Sequence, residues 1–271
     1  MASGLLRNCL VKMNVDKKPE VNRREFLKGS SFATMMMMMG GVPIHAAEGN
    51  ADGATSYKGE APPMNVGVIG CGVWGREIVK TLSLLPNAPV VALCDFYPAF
   101  LRRAGRLARE AAKYEDYKEL LNDEKVQVVI VATPTHEHKQ IVLDALKAGK
   151  HVYCEAPMAA NLEDARTIAK AAKANPQLNL QVGLQNRSDF QIVKLGEFIR
   201  TGVLGKTLKL RQQWHKKQSW RLTSPNPERE KYINWRLDKN ISLGLVGELG
   251  VHQVDLSNWF FLQRPKAISG F

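Results

Sequence analysis

A short apolar run leads directly into three glycines in the segment Asn65-Val66-Gly67-Val68-Ile69-Gly70-Cys71-Gly72-Val73-Trp74-Gly75. The run is typical of a strand, and the G-x-G-x-x-G pattern after it is typical of the turn into a helix that binds a pyrophosphate at its N-terminus. The first glycine permits the tight turn, the second lets the pyrophosphate approach the backbone, and the third lets helix pack on strand. We therefore predict a nucleotide site. The candidate ligands in this loop are Gly70, Gly72, Val73, Trp74 and Gly75.

A carboxylate follows the second apolar run of the chain. The run from Val90 to Cys94 ends in Asp95, twenty residues beyond Gly75. A carboxylate at this place accepts hydrogen bonds from the 2′-hydroxyl of a ribose and repels a 2′-phosphate. The next cations, Arg102 and Arg103, come only in the following helix. We therefore expect NAD as the cofactor. NADP and a βαβ unit without nucleotide are the alternatives.

Strands and helices alternate from residue 64 to residue 184. This alternation predicts an α/β protein whose N-terminal Rossmann domain is a doubly wound parallel sheet. Ligands of such sheets bind at the carboxyl ends of the strands. Beyond the two strands above, we expect strands at 126–132, 151–154 and 178–182 and helices at 76–85, 139–146 and 162–174.

The composition indicates an ordinary basic enzyme. The chain has 271 residues, of which 45% are hydrophobic, enough for a sizeable core. Its net charge of +12 suits a nucleic-acid-binding protein, but residues 1–47 carry seven Lys or Arg against three Asp or Glu, and the remaining excess is spread without a long basic run. We therefore expect no nucleic acid partner. The chain has four cysteines, Cys9, Cys71, Cys94 and Cys154, and no two of them have the C-x-x-C spacing of a metal site. We therefore predict no metal site, and we expect the last three cysteines to be buried thiols.

Twin arginines precede an apolar stretch near the N-terminus. Arg23 and Arg24 are followed by a mostly apolar run from Ser31 to Ile44, which is too short for a stable membrane anchor. This pattern predicts a Tat export signal over residues 1–47 and a linker over residues 48–63, with the mature protein periplasmic or secreted. A chance Arg-Arg pair is the alternative. Tat export carries folded proteins, which suits an enzyme that binds its nucleotide before it leaves the cytoplasm.

The segment Ala148-Gly149-Lys150-His151-Val152-Tyr153-Cys154-Glu155-Ala156-Pro157 adds a family resemblance. Together with the glycine loop, the strand end Thr133-Pro134 and the segments 183–187 and 248–255, it resembles the glucose–fructose oxidoreductase and inositol dehydrogenase family, Gfo/Idh/MocA, from Met64 to Phe271. The resemblance implies a second α/β domain with an open sheet over residues 185–271, which covers the nicotinamide and mediates homo-oligomers in full-length versions. It also implies that the cofactor lies along Thr133, Pro134, His138, Glu155 and Gln185. For His138, a purely structural role at the start of a helix is the alternative.

The segment Gly247-Glu248-Leu249-Gly250-Val251-His252-Gln253-Val254-Asp255 resembles the family pattern D-x-G-x-H-x-x-D. On a helix Glu248 and His252 share a face, because they are four residues apart. The carboxylate would then fix the tautomer of the imidazole and raise its basicity. The resemblance implies that His252 accepts the proton of a hydroxyl being oxidised, or contacts the substrate. Glu248 and His252 are therefore the candidate catalytic residues, and a small-molecule sugar or polyol is the expected substrate.

Ala156 stands where the family usually has a catalytic lysine. Alanine can neither polarise the reacting oxygen nor help to move a proton, which leaves three alternatives. The two candidate catalytic residues act alone, another cation such as Lys216, Lys217 or Arg187 replaces the lysine, or the chemistry differs. The leading hypothesis is an NAD(P)-dependent oxidoreductase that removes a hydride from a sugar or cyclitol carbon bearing a hydroxyl. An NAD-assisted glycoside hydrolase and a non-catalytic NAD-binding protein are the alternatives.

The sequence after residue 185 contains a predicted strand and then ends soon after a further apolar run. The run from Thr207 to Trp214 predicts a strand, and the chain ends at Phe271 just after a further apolar run begins. The second domain of the family needs several more strands, since a small sheet leaves its edges unpaired. We therefore expect an incomplete second domain and a chain truncated at its C-terminus.

Overall fold

The computed structural model describes residues 62–215, 219–224, 226–267 and 269. The strands are β1 (Val66–Ile69), β2 (Val90–Cys94), β3 (Ala112–Tyr114), β4 (Val128–Val131), β5 (His151–Glu155) and β6 (Leu180–Gly183). The α-helices are α1 (Val73–Leu82), α2 (Pro98–Gly105), α3 (Tyr117–Asn122), α4 (His138–Lys147), α5 (Leu162–Ala174), α6 (Phe190–Arg200), α7 (Pro227–Ile233), α8 (Gly244–Glu248) and α9 (Gly250–Phe261). Short 3-10 turns lie at Thr135–Glu137, Gln185–Ser188 and Trp235–Leu237. The predicted export signal, most of the predicted linker, Cys9, Lys216 and Lys217 lie outside the described residues.

The six strands form one parallel sheet in the order β3-β2-β1-β4-β5-β6. A helix connects each strand to the next in the chain, and the direction of winding changes between β1 and β4. The sheet is therefore doubly wound, and the crevice for a ligand is expected at the carboxyl ends of β1 and β4. The predicted fold class is confirmed.

Apolar side chains of the sheet divide between two buried clusters, one on each face. Val66 and Val68 of β1 pack with Val79 of α1 in one cluster, whereas Val129 and Val131 of β4 belong to the other. Alternate residues of a strand point to opposite faces, so a strand covered on both faces reads as a continuous apolar run. The buried thiols follow the same division, as predicted for Cys71, Cys94 and Cys154.

Two short elements between residues 112 and 122 were not predicted. Strand β3 has three residues, of which Ala112 and Lys113 are exposed, so it carries no apolar run that would reveal it. Helix α3 begins after Asp116, whose carboxylate accepts a hydrogen bond from the backbone N–H of Lys118. This aspartate cap, followed three residues later by Glu119, was a usable signal for a helix start.

Lys150 is a buried lysine whose ammonium group closes the loop between α3 and β4. Its Nζ donates to the carbonyl oxygens of Asp123 at 2.9 Å and Val126 at 2.7 Å, and 9% of the residue is exposed. Lys150→Met keeps most of the aliphatic stem but leaves both carbonyl groups without their donor. We expect this change to lower the free energy of unfolding by about 2–3 kcal/mol. Denaturant titration checks the value, with the exposed Lys147→Met as control; equal stability of the two variants would contradict it.

Beyond β6 the described residues form helices and turns without a strand. The strand predicted from Thr207 to Trp214 is wrong, because residues 207–215 adopt neither helix nor strand. An extended segment becomes a strand only when a neighbour pairs with its backbone groups, and no described segment does so here. Residues 198–206 contain the end of α6 and a turn in which Gly202 and Gly205 both have positive φ. None of the helices in the described part of the chain is both long and apolar enough to cross a membrane.

Candidate active site

The glycine loop between β1 and α1 is packed more tightly at two of its glycines than at the third. Gly70 has a positive φ of 96°, and a Cβ atom there would lie 2.6 Å from the backbone of Ala132 at the end of β4. A Cβ atom on Gly75 would overlap the carbonyl oxygen of Gly70. Gly72, in contrast, has no atom within 4 Å of the place that a Cβ would take. Gly70 and Gly75 thus keep the loop close to the sheet, and Gly72 leaves open space.

The N-terminus of α1 points its backbone donors at this open space. Gly72 is the N-cap, no side chain caps the helix, and its first turn contains no acidic residue. The first N–H groups of a helix and its dipole together attract an anion. The loop therefore fits the pyrophosphate of a dinucleotide, and the neighbouring Val73 and Trp74 are exposed, at 66% and 53%. All five predicted loop residues lie at this one place.

Asp95 follows β2 and braces the glycine loop. One carboxylate oxygen accepts a hydrogen bond from the backbone N–H of Cys71 at 2.7 Å, and the other accepts from the backbone N–H of Tyr97 at 2.8 Å. Burial raises the pKa of Asp95, whereas the two N–H groups and the Arg76 guanidinium oppose that rise. Each oxygen keeps a second lone pair for a ribose hydroxyl. The predicted position beside the loop is found; the bracing hydrogen bonds were not predicted.

His138 is fully buried at the start of α4. Its Nε2 lies 3.0 Å from the carbonyl oxygen of Thr133, and its Nδ1 lies 2.9 Å from that of Pro157. Burial lowers the pKa of His138, although both carbonyl contacts oppose this. The ring joins the end of β4 to the turn after β5, and neither nitrogen is directed to the crevice. This geometry favours the structural role, which was the alternative expected for this residue.

Glu155 ends β5 and lines one cavity together with Trp74 and Tyr153. Burial raises the pKa of Glu155, and the polar groups of Trp74, Ala156 and Tyr153 oppose the rise. The next peptide bond, Ala156–Pro157, is cis. Two predicted cofactor residues, Trp74 and Glu155, therefore face the same cavity, and position 156 carries only a methyl group.

Glu248 and His252 are both buried, with 6% and 9% of each residue exposed. The expectation that they share one face of a single helix is wrong: α8 ends at Glu248 and α9 begins at Gly250. The break falls at Leu249, between the flexible residues Gly247 and Gly250, and no hydrogen bond joins the carboxylate to the imidazole in the described structure.

Glu248 contacts the loop after β4 instead. Its Oε2 accepts a hydrogen bond from Thr135 Oγ1 at 3.1 Å and lies 3.9 Å from Nε of Arg236. Burial raises the pKa of Glu248, and burial lowers the pKa of His252, where Asp255 opposes the change. Burial thus disfavours the charged form of both groups, and Thr135 and Arg236 oppose this effect at Glu248. Through Thr135, Glu248 lies at the carboxyl end of β4.

Four buried polar atoms of this region have no hydrogen-bond partner among the described residues. Two lie in the loop after β4 and two in the candidate catalytic pair: Thr133 Oγ1, His136 Nδ1, Glu248 Oε1 and His252 Nδ1. Buried polar atoms are paired in nearly all folded proteins, because an unpaired one costs about 1–3 kcal/mol. Gln212 Oε1 and Arg229 Nε are unpaired in the described chain as well, but Glu248 is joined to the loop after β4 through Thr135, so the atoms of these two places form one polar group suited to a ligand.

Arg187 joins the turn after β6 to α9. Its guanidinium donates to both oxygens of Asp255, with Nε to Oδ2 at 2.8 Å and Nη2 to Oδ1 at 2.7 Å, and it lies over the ring of Trp259 at 5.5 Å. Arg187 is therefore paired with an acid three residues beyond His252. The remaining predicted residue of this turn, Gln185, is exposed.

Sequence reasoning missed Thr135, Arg236 and the partner of Arg187. Thr135 had no distinguishing pattern, since a threonine after Pro134 is common in any turn. Arg236 follows Trp235, and an arginine next to a tryptophan was a weak signal that the sequence reading left unused. Each missed contact joins residues far apart in the chain, which periodicity and short motifs do not report.

A doubly wound sheet in this strand order, with a glycine loop and a carboxylate after β2, defines a dinucleotide-binding Rossmann protein. Residues 64–184 match the oxidoreductase family with an NAD-binding Rossmann fold, and residues 192–271 match the GFO/IDH/MocA C-terminal domain. The chain belongs to the Gfo/Idh/MocA family. The family resemblance and the NAD-binding class of the first domain are thereby confirmed.

Individual relatives agree with this assignment. The chain is 31% identical over 202 residues to an inositol 2-dehydrogenase/D-chiro-inositol 3-dehydrogenase of Lactiplantibacillus plantarum, covering 74% of this chain and 53% of the relative. It is 31% identical over 208 residues to the myo-inositol 2-dehydrogenase of Thermotoga maritima, and this match covers 76% of this chain and 57% of the relative. The chain thus spans little more than half the length of these relatives.

A solved structure shares the fold. The crystal structure of scyllo-inositol dehydrogenase from Lactobacillus casei with bound NAD(H) and scyllo-inositol matches with a TM-score of 0.59 at 21% identity, over 73% of this chain and 56% of that one. At this identity the match supports the architecture alone.

Proposed function

We propose that this protein is an NAD(P)-dependent oxidoreductase that takes a hydride from a hydroxyl-bearing carbon of a cyclitol or sugar, with NAD as the preferred cofactor. The observation that carries the proposal is the set of unpaired buried polar atoms on Glu248, His252 and the loop after β4, next to a loop that fits a pyrophosphate. A polyol offers donors and acceptors in alternation and suits such a set. The named activities of the inositol dehydrogenase relatives support the same substrate class.

His252 is the proposed proton acceptor. Because burial lowers the pKa of His252, the ring is neutral at pH 7 and has a lone pair available for the substrate hydroxyl. Glu248 Oε1 is proposed to accept a hydrogen bond from a second hydroxyl and so to orient the ring of the substrate. Bound NAD would supply the hydride acceptor. The loop residues from Gly70 to Gly75 would hold its pyrophosphate, and Asp95 its adenosine ribose.

The direct test is a panel of cyclitols and sugars incubated with the purified full chain and NAD, with NADH formation followed by absorbance. We expect NADH to form with at least one cyclitol, and heat-denatured protein to give none. Release of a sugar from a glycoside without net NADH would instead identify a hydrolase. Tight NAD binding with no turnover of any compound would identify a non-catalytic protein, and either outcome would overturn the proposal.

Cofactor preference follows from the charge of Asp95. A 2′-phosphate placed beside this carboxylate meets like-charge repulsion of about 1–4 kcal/mol, and the first cations of α2, Arg102 and Arg103, lie in the last turn of that helix. We expect the dissociation constant of NADP to exceed that of NAD by about ten-fold or more. Isothermal titration of both nucleotides measures the ratio; equal affinities would contradict the role given to Asp95.

We also propose export through the Tat pathway and a homo-oligomeric state. The support for export is the Arg23-Arg24 pair and the apolar run from Ser31 to Ile44. Expression with and without Arg23→Lys and Arg24→Lys, followed by cell fractionation, tests it. We expect the unmodified protein in the periplasmic or secreted fraction, and the twin-lysine variant in the cytoplasm.

A further inference from the structure

Glu248 is a deeply buried carboxylate with few compensating contacts. Its side chain is 4% exposed, Oε2 has one hydroxyl donor in Thr135, and Oε1 has no partner among the described residues. A carboxylate in such a place becomes protonated unless a positive charge lies close to it. Position 156, where the family resemblance leads one to expect a lysine, is alanine and supplies no cation.

The cations first considered as substitutes are not available to Glu248 in the described structure. Arg187 is engaged with both oxygens of Asp255, and Lys216 and Lys217 lie outside the described residues. Within the part of the chain that the structure describes, Arg236 is the one Lys or Arg within ion-pair distance of the Glu248 carboxylate, at 3.9 Å from Nε to Oε2.

Arg236 packs over the ring of Trp235. Its guanidinium carbon lies 4.4 Å from the centre of the Trp235 ring, and Trp235 in turn lies 5.9 Å from the ring of His136 in the loop after β4. Trp235 is buried, whereas the side chain of Arg236 is 47% exposed. The guanidinium therefore has a fixed ring on one side and the carboxylate on another, while it keeps donors directed outward.

We propose that Arg236 is the positioning cation of this site: it keeps Glu248 in the carboxylate form and holds it against Thr135. The other titratable groups on the elements around Glu248 are His136 and Glu137 beside Thr135, Asp238 after the turn of Arg236, and His252 and Asp255 on α9, of which Asp255 is paired with Arg187. Only Arg236 among these carries a permanent positive charge. The consequence for turnover rests on the proposed function, but the effect on the ionisation of Glu248 does not.

The test measures that ionisation directly. The full chain is labelled with carboxyl-¹³C glutamate, the Glu248 signal is assigned by its loss in Glu248→Gln, and its shift is followed with pH. We expect Arg236→Gln to raise the midpoint by about one pH unit, because the carboxylate loses its cation. Arg236→Lys keeps the charge and is expected to retain most of the original midpoint. The exposed Arg109→Gln serves as matched control with no change.

Turnover and salt give two further readings. In Arg236→Gln, kcat/KM at fixed pH is expected to fall as the fraction of Glu248 in the carboxylate form falls, with the affinity for NAD unchanged. In the unmodified chain, added salt is expected to raise the Glu248 midpoint, because the half-exposed guanidinium is open to screening. This last measurement needs no variant and stands even where Arg236→Gln fails to fold.

An unchanged Glu248 midpoint in Arg236→Gln, or an unmodified chain insensitive to salt, would overturn the inference. Equal Glu248 midpoints in Arg236→Lys and Arg236→Gln would also overturn it, because the positive charge at position 236 would then have no effect. A shifted midpoint in a protein that oxidises no cyclitol or sugar would leave the inference intact and reject the proposed function.

Discussion

His252→Ala is expected to lower kcat by about a thousand-fold while the dissociation constant of NAD changes less than about two-fold. A positioned general base typically contributes 10²–10⁴-fold, and alanine removes the imidazole without adding a charge. Steady-state kinetics and nucleotide titration measure the two quantities on the same preparation. His215→Ala, which removes an exposed histidine, is the matched control and is expected to keep full activity.

The pH profile of the unmodified enzyme belongs to the same prediction. Because burial lowers the pKa of His252, the neutral base persists below the ordinary histidine value of about 6.5, and activity is expected to fall only as the pH drops beneath that value. Turnover that survives in His252→Ala, or an acid limb well above pH 7, would reject His252 as the proton acceptor.

Gly75→Ala is expected to cost about 3 kcal/mol of folding free energy and to abolish NAD binding. Its Cβ would overlap the carbonyl oxygen of Gly70, so helix α1 would have to move away from β1 at the point where the loop is shaped. Thermal and denaturant unfolding measure the first effect, and nucleotide titration measures the second.

Gly72→Ala is the matched comparison, because the two glycines have opposite surroundings. A Cβ on Gly72 meets no atom within 4 Å, and its φ of −60° suits an alanine. We expect stability to change by about 0.5 kcal/mol or less, but NAD affinity to fall about ten-fold as the methyl group occupies the space of the pyrophosphate. A stable Gly75→Ala variant with normal NAD affinity would contradict the packing argument, and normal affinity in Gly72→Ala would place the pyrophosphate elsewhere.

The first domain was largely predictable because its signals are local. The strand before Gly70, the glycine spacing and Asp95 fall within about thirty residues, and each has a direct steric or electrostatic meaning. The hydrogen bond from the Cys71 N–H to Asp95 was not predictable. The sequence around a carboxylate after β2 does not show whether its oxygens face a ribose or a backbone amide.

The second half was less predictable because its contacts are distant in sequence. Glu248 meets Thr135 across 113 residues, and Arg187 meets Asp255 across 68 residues. The i, i+4 spacing of Glu248 and His252 suggested a shared helix face, but Gly247 and Gly250 flank a break there. One glycine directly before Glu248 and another between Glu248 and His252 were evidence against a continuous helix.

The brace made by Asp95 bears on any attempt to redesign the coenzyme preference of this protein. Exchanging an acid after β2 for a small or basic residue is the obvious route to NADP. Here the same carboxylate fixes the amide of Cys71, inside the loop that must also receive the pyrophosphate. A substitution of Asp95 therefore changes the coenzyme selectivity and the rigidity of the glycine loop at the same time. A redesign would have to restore the lost acceptor from another side chain before it adds a positive charge.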